Sequence, residues 1–428
     1  MPACTANMQR MDKEVLCEPR RKDPERTVRT DDGKISIVTV FLCLYFALMV
    51  FDSIPMFGIG SILKILILFP VGAILFIKLR TNVEINPQIV LLTVYFLFLA
   101  VSFLYSVNRQ ETYNQIKRVF LNIMVVVCAG GMIDYNDREI DLLKKSLVAG
   151  GVATVLVTLY MADYSAGGRL TLSINGTVQD QNYLNGYIFF AYIYFLYGVI
   201  EKKKPLMALP VGFILYFTLM TGSRGALLAL AGISAVIVFC VLLQEKRIRL
   251  STFVIIAALA VLAVLLYRPV LSLLPEEVAE RFTPEYIQEN GSTGRTEIWT
   301  FLLNKFADSS VFRMLFGYGF GTVAYINEYN HLVAHNLWIE HLLAVGIIGE
   351  LLFVAMQIAF IRAAWKTKDI FIISGYAGYL VMMLTLSLLS YKPIWNCMIM
   401  ILIISRAHGR SRDKREERES DGTEESRS

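Results

Sequence analysis

Charge is scarce in this chain. Asp, Glu, Lys and Arg make up only 18% of its 428 residues, against about 25% in soluble globular proteins, so an ordinary water-soluble domain is excluded. Histidine is rarer still, at four residues, and no His-Glu-x-x-His run occurs, which removes a familiar zinc pattern. A Gly-x-x-x-x-Gly-Lys-Ser/Thr phosphate loop is absent too, and nucleotide-driven transport loses support. Of six cysteines, Cys4 and Cys17 lie in the charged first segment and Cys43, Cys128, Cys240 and Cys397 in apolar runs. None falls in a polar connection where an extracytoplasmic disulfide framework would form.

Apolar residues are abundant instead: 55% of the chain, with a mean hydropathy of +0.53. Runs of about 20 apolar residues match a hydrocarbon core about 30 Å thick. In lipid such runs must be helices, because no water satisfies an open backbone. The fold class expected is all-α, a polytopic transmembrane bundle of about twelve spans. They fall at 35–56, 59–79, 87–107, 117–133, 142–162, 182–200, 205–221, 224–243, 251–273, 334–361, 370–390 and 392–405.

Lys and Arg in the short connections set the orientation. With the amino terminus inside, the inner segments hold Lys78 and Arg80; Arg138, Lys144 and Lys145; Lys202 to Lys204; Lys246, Arg247 and Arg249; and Arg362, Lys366 and Lys368. The turns at 53–58 and 221–223 lie outside. The first 34 residues are too charged for a removable signal peptide. The chain then divides into a basic cytoplasmic tail at 1–34, spans at 35–274, one large extracytoplasmic loop at 275–334, spans at 335–405 and a solvated, disordered cytoplasmic tail at 406–428. The large loop is acidic, with eight Asp/Glu against four Lys/Arg. The net charge of +5 therefore reports topology and anionic lipid rather than nucleic acid. No Asp-x-Asp pair lies in an outer loop, which counts against metal-dependent transfer from a nucleotide sugar.

Four elements are expected to converge on the outer face. They are the loop 163–181 running into Asn182, the turn Thr221-Gly-Ser-Arg-Gly-Ala226, the loop residues Arg281 and Gly294-Arg295 with Trp299, and Gly317-Tyr-Gly-Phe-Gly321 running on to His335-Asn336. Arg224 opens an apolar helix, where the positive end of the macrodipole disfavours a cation. Ser223 can cap that helix, and the glycines beside it would let a ligand approach the backbone. A guanidinium with helix-end N–H groups describes a phosphate site; an interfacial anchor is the plainer reading. Arg281 and Arg295 read either as phosphate ligands or as surface ion pairs with Glu277, Glu285 or Glu297. Trp299 suits an interfacial helix that would aim Arg295 toward lipid headgroups.

His335 has the near-neutral pKa of an acid–base group, and also the place of a residue that merely caps and packs. The spacing of His331 and His335 would put both on one face of a helix, but no third metal ligand is apparent. Lys64, Arg109, Lys117, Arg118, Arg268 and Lys392 go against the positive-inside trend, as a lipid-phosphate groove would, or as snorkelling helix ends would.

Together these marks resemble the bacterial O-antigen ligase/polymerase family. Ser223-Arg224-Gly225, Gly294-Arg295 with Trp299, Gly317-x-Gly319-x-Gly321, Ala334-His335-Asn336 and Gly346-x-x-Gly349-x-Leu351-Leu352-Phe353 carry the resemblance. Gln181 stands where the family commonly has proline. The resemblance implies an inverting, metal-independent glycosyltransferase of the cytoplasmic membrane that needs no cofactor. Its donor would be an undecaprenyl-diphosphate-linked oligosaccharide. Catalysis would fall to His335, Arg224 and Arg295, and substrate binding to Arg281, Asn336, Ser223, Asn182, Trp299 and Gly319. A polymerase extends a second lipid-linked glycan, and a ligase transfers to lipid A-core; the polymerase is the expectation, with a flippase and a chain-length regulator as partners. A flippase or transporter would explain the spans equally, but transporters place polar residues deep within broken helices.

Overall fold

Short polar side chains set the helix starts. Asn86, Asn108, Asn136, Asp180, Asn336 and Asp369 each accept a backbone N–H of the turn that follows, satisfying donors that a helix cannot pair for itself. The computed structural model describes residues 34–53, 70–74, 86–165, 167–174, 176–244, 265, 267–291 and 294–425. Its helices are α1 (Ile37–Ala47), α2 (Pro87–Tyr105), α3 (Arg109–Val125), α4 (Asp137–Tyr160), α5 (Gln181–Tyr187), α6 (Phe189–Ile200), α7 (Ala208–Met220) and α8 (Arg224–Gln244). There follow α9 (Glu276–Glu280), α10 (Pro284–Asn290), α11 (Arg295–Ala307), α12 (Val311–Phe316), α13 (Val323–Ile326), α14 (Leu337–Lys366), α15 (Ile370–Met382) and α16 (Lys392–Glu425).

The all-α expectation holds, but twelve spans do not emerge. Among the described residues α2, α4, α8 and α14 are long and apolar enough to cross a membrane, and α5 with α6 makes a fifth if that pair, bent by 50°, is one span. Ile37–Ala47 and Ile370–Met382 form shorter apolar helices than the runs expected at 35–56 and 370–390, while Pro205–Met220 matches the run expected at 205–221. Most of the runs expected at 59–79 and 251–273 lies outside the described residues. The run at 117–133 begins two turns earlier, at Arg109, and ends in a wide turn over 126–131.

α8 packs along α15, α1 along α4, α2 along α14, and the start of α16 against 126–131. Gly150 lets α1 and α4 touch: a Cβ there would stand 2.2 Å from the Phe46 carbonyl. The expected loop 163–181 instead holds three short antiparallel strands, β1 (Ala162–Asp163), β2 (Thr171–Ile174) and β3 (Thr177–Val178), in the order β1-β2-β3. Val50, Leu172, Ile174 and Leu184 bury together beneath it. This miniature sheet fixes the chain between α4 and α5.

Polar contacts gather at two ends. At one, Glu139 accepts from Ser36 N–H at 2.8 Å, Thr39 Oγ1 at 2.8 Å and Asn136 N–H at 3.0 Å. Lys144 pairs there with Asp369, and Arg406 and Arg410 reach Asp134 at 3.1 and 2.8 Å. The expected inner segments around 138–145 and 362–368 thus share an end with the start of the C-terminal tail. The far ends of α4, α7 and α14 carry the other polar group of residues.

α14 is broken at Gly346, where φ is +69°. The break frees the carbonyls of Leu343 and Ala344, and the N–H groups of Tyr318 and Gly319 bond them at 2.9 Å each. Val107 N–H donates in turn to Tyr318 O at 3.0 Å, so the glycine segment is stitched between α2 and α14. Buried backbone groups require such partners. A Cβ at Gly346 would lie 2.5 Å from the Leu315 carbonyl, and one at Gly317 2.4 Å from that of Ala344. Gly346→Ala should therefore lower the melting temperature of the detergent-solubilised protein. The left-handed backbone alone costs about 1–2 kcal/mol, and the overlap adds to it. Gly212→Ala, with open space around it, should leave thermal unfolding unchanged or slightly raised; equal melting of the two variants would contradict this seam.

Candidate functional site

The turn between α7 and α8 is short and left-handed at Gly222, with φ +61°. Its carbonyls point outward and collect guanidinium groups. Arg169 Nε donates to Thr221 O at 2.8 Å, and Arg281 Nε donates to Gly222 O at 3.3 Å. A Cβ on Gly222 would stand 2.9 Å from Arg169 Nε and 3.3 Å from Arg281 Cδ, so the two side chains enclose the glycine. Tyr286, on α10, lies 5.9 Å from the guanidinium carbons of both Arg224 and Arg281, within cation–π range. Arg295, at the start of α11, donates to Thr385 O at 3.0 Å just beyond the end of α15.

Neither Arg281 nor Arg295 forms an ion pair with Glu277, Glu285 or Glu297 among the described residues. Arg295 turns inward to a backbone carbonyl rather than toward lipid headgroups, because α15 unwinds before the expected span end and exposes that acceptor. Burial pushes the Arg169 guanidinium down to about 10; Arg281 and Arg295 repel it, and Asp180 works the other way. Burial also lowers Arg295, with Asp180 opposing and Arg224 and Arg281 adding repulsion. Asp180 is the only carboxylate in that balance for either group. Clustered guanidiniums are chemically suited to phosphate and carboxylate oxygens.

Arg169 was missed by the sequence reading, and so was Tyr286. A basic residue in an outer connection after Gly167-Gly168 was the available signal for Arg169; Tyr286 gave none. Asn182 is brought in as a positioning residue: its Oδ1 accepts from Arg169 at 3.2 Å while its Nδ2 donates to Asp180 at 2.9 Å. Ser223 lies in the turn, with Oγ 3.4 Å from Ala226 N–H as a long cap contact. Gly225 does not open the backbone to a ligand, because a Cβ there would meet Thr385 Oγ1 at 2.5 Å. Its smallness joins α8 to the carbonyl segment that holds Arg295.

His335 stands at the edge of this cluster. Arg295 and Asp180 both act on it: burial lowers its pKa, Arg295 lowers it further and Asp180 opposes. Its backbone is left-handed, φ +49°, and its Nδ1 is buried with no hydrogen-bond partner. Trp299 Nε1 donates to Ala334 O at 2.7 Å, tying α11 to the residue before it. Asn336 uses its Oδ1 to cap α14, accepting from Trp338 and Ile339 N–H at 3.0 and 3.3 Å. Only its NH2 remains for other contacts.

Gly319 is not brought to the arginines; it packs on Ser106, where a Cβ would lie 2.3 Å from Oγ. His331 and His335 share no helical face, since 327–336 is irregular and both are left-handed. Arg109 is exposed and donates to Leu104 O at 3.2 Å, and Arg268 is exposed. Lys117 lies over the Tyr113 ring at 4.6 Å, and Lys392 is half-buried at the start of α16. Lys64 lies outside the described residues.

What gathers here is a group of four guanidiniums beside one imidazole, at one end of the helical bundle. No curated protein matches the chain. Residues 209–354, about a third of it, match the family model described as O-antigen ligase. The match encloses Arg224, Arg281, Arg295 and His335 and excludes Arg169. Over that segment the chain is similar to the O-antigen ligase family.

Proposed function

We propose that this protein polymerises oligosaccharide repeat units carried on undecaprenyl diphosphate, building a surface polysaccharide at the outer face of the cytoplasmic membrane. The observation that carries the reading is the meeting of Arg169, Arg224, Arg281 and Arg295 around the Thr221–Gly222 turn with His335 at its edge. A second reading, transfer of the finished glycan to lipid A-core, is favoured by the matched family's description. Both use the same donor chemistry. Both termini are cytoplasmic in this proposal, 275–334 is extracytoplasmic, and a flippase and a chain-length regulator act alongside.

In the reaction, the acceptor hydroxyl oxygen bonds to the anomeric carbon of the donor sugar as the carbon–oxygen bond to the diphosphate breaks. The electron pair leaves with the diphosphate, and the arginines stabilise the charge that develops there. His335 Nδ1 or Nε2 takes the hydroxyl proton. Attack from the face opposite the diphosphate inverts the anomeric centre. The diphosphate is already an activated leaving group, so neither ATP nor a metal ion is required by the chemistry.

Arg224→Lys and Arg295→Lys keep charge but lose the planar fork that grips two phosphate oxygens. Each should insert normally and lose about a hundredfold or more in polymer formed per unit protein, measured in membranes fed lipid-linked repeat units. Normal polymer from both would dismiss the diphosphate assignment.

His335 must be neutral to accept a proton, and its lowered pKa keeps it neutral below the usual imidazole range. The acid limb of the kcat/KM profile is therefore expected on the acid side of about 6.5. His335→Ala should abolish transfer while donor still binds. An acid limb well above the imidazole range, or an active His335→Ala enzyme, would remove His335 from the role of base.

A further inference from the structure

Behind the arginine cluster lies a cavity of about 540 Å³, within the range of about 300–1,000 Å³ typical of small-molecule sites. The first turns of α3 form one wall with Glu111, Gln115 and Arg118, and the start of α14 forms the other with Glu340. Tyr183 lines it as well and is within electrostatic range of Glu340, Asp180 and Arg295. Its hydroxyl donates to Ser387 O at 3.0 Å, and Ser387 Oγ donates to Glu340. Tyr183, Ser387 and Glu340 thus connect the lining of the cavity to the arginine cluster.

The lining decides what can enter. Amide, carboxylate, guanidinium and hydroxyl groups alternate with the rings of Tyr183, Phe320 and Tyr325, a mixture that suits polyhydroxylated rings and not an acyl chain. Two carboxylates, Glu111 and Glu340, face one guanidinium, Arg118, and the imidazoles of His331 and His341, the latter paired with Glu350 at 2.6 Å, so the cavity lacks the concentrated guanidiniums of the arginine cluster and does not suit a second diphosphate. Glu340 forms no ion pair among the described residues, and a carboxylate in an apolar helix is costly unless it is used. Gln115 is held between Glu111, which accepts from its Nε2 at 2.8 Å, and Ser390, which donates to its Oε1 at 2.9 Å. Both contacts are exchangeable for sugar hydroxyls.

We propose that this cavity binds the saccharide acceptor, as an uncharged sugar whose hydroxyl is held by the Glu340 carboxylate, which bonds the backbone of Ala334, the residue before His335. The proposal rests on the glycosyl-transfer reading above. A neighbouring hydroxyl of the same sugar donates to Glu340, while the attacking hydroxyl yields its proton to His335. A separate sugar site also explains how one face can hold a diphosphate and an acceptor without mutual displacement.

The test uses the full-length protein in lipid nanodiscs. The probes are the free oligosaccharide released by mild acid from the producing strain's lipid-linked intermediate, and inorganic diphosphate, each titrated calorimetrically. Wild type should bind the oligosaccharide saturably, and inorganic diphosphate should not displace it. Glu340→Gln, which keeps the shape of the side chain, and Ala324→Trp, which fills the cavity, should each weaken oligosaccharide binding about tenfold or more. Neither should change diphosphate affinity. Arg295→Lys should do the reverse. Unchanged oligosaccharide affinity in both cavity variants, absence of saturable binding by wild type, or displacement by inorganic diphosphate would each overturn the cavity assignment. Normal diphosphate affinity in Arg295→Lys, with the cavity variants behaving as stated, would sustain the cavity and overturn the donor reading instead.

Discussion

Four guanidinium groups held around one backbone turn repel one another, and the rest of the site is arranged to tolerate that repulsion. Each of three of them rests on a main-chain carbonyl: Arg169 on Thr221, Arg281 on Gly222 and Arg295 on Thr385. A carbonyl accepts a guanidinium without cancelling its charge, as a glutamate would. Asp180 is the carboxylate that tempers Arg169 and Arg295, and among the described residues neither Arg281 nor Arg295 forms an ion pair with Glu277, Glu285 or Glu297. In the proposed reaction, binding the diphosphate would remove repulsion as well as add hydrogen bonds.

Those carbonyls exist because helices end early. α15 stops at Met382, so Thr385 presents its oxygen; α7 stops at Met220, so Thr221 and Gly222 present theirs. Gly225 brings α8 against Thr385 and makes the two acceptor segments neighbours. On the far side, the break at Gly346 lets the glycine segment 317–319 dock on α14, which anchors the connection leading to His335. Unwound backbone at membrane depth is tolerated only where such partners or a polar cavity receive it.

Much of this was legible in the residues. Helical class followed from long apolar runs, and the convergence of the 221–226 turn with Arg281, Arg295 and His335 followed from polar residues gathered on one face. The sequence reading failed where a contact decides the outcome. Arg169 was not singled out, because nothing local reveals that the strand it precedes, β2, sets it against Thr221. Arg295 was directed at lipid because its acceptor, ninety positions away, appears only when α15 unwinds inside an apolar run. Gly319 was expected to bind substrate by motif; its close approach to Ser106 is a packing constraint that the motif did not reveal. The count of twelve spans is not confirmed among the described residues, where hydropathy, which registers apolar length alone, gave no sign of the 50° bend between α5 and α6.

The central claim is that the donor's diphosphate sits among Arg169, Arg224, Arg281 and Arg295. An electron cryomicroscopy structure of the protein in nanodiscs with undecaprenyl diphosphate tests it most directly. Density for both phosphates within hydrogen-bond reach of these guanidiniums, with His335 facing the anomeric position, is the predicted result. Diphosphate density at the opposite end, near Asp134 and Arg406, or outside the arginine cluster altogether, would contradict the account.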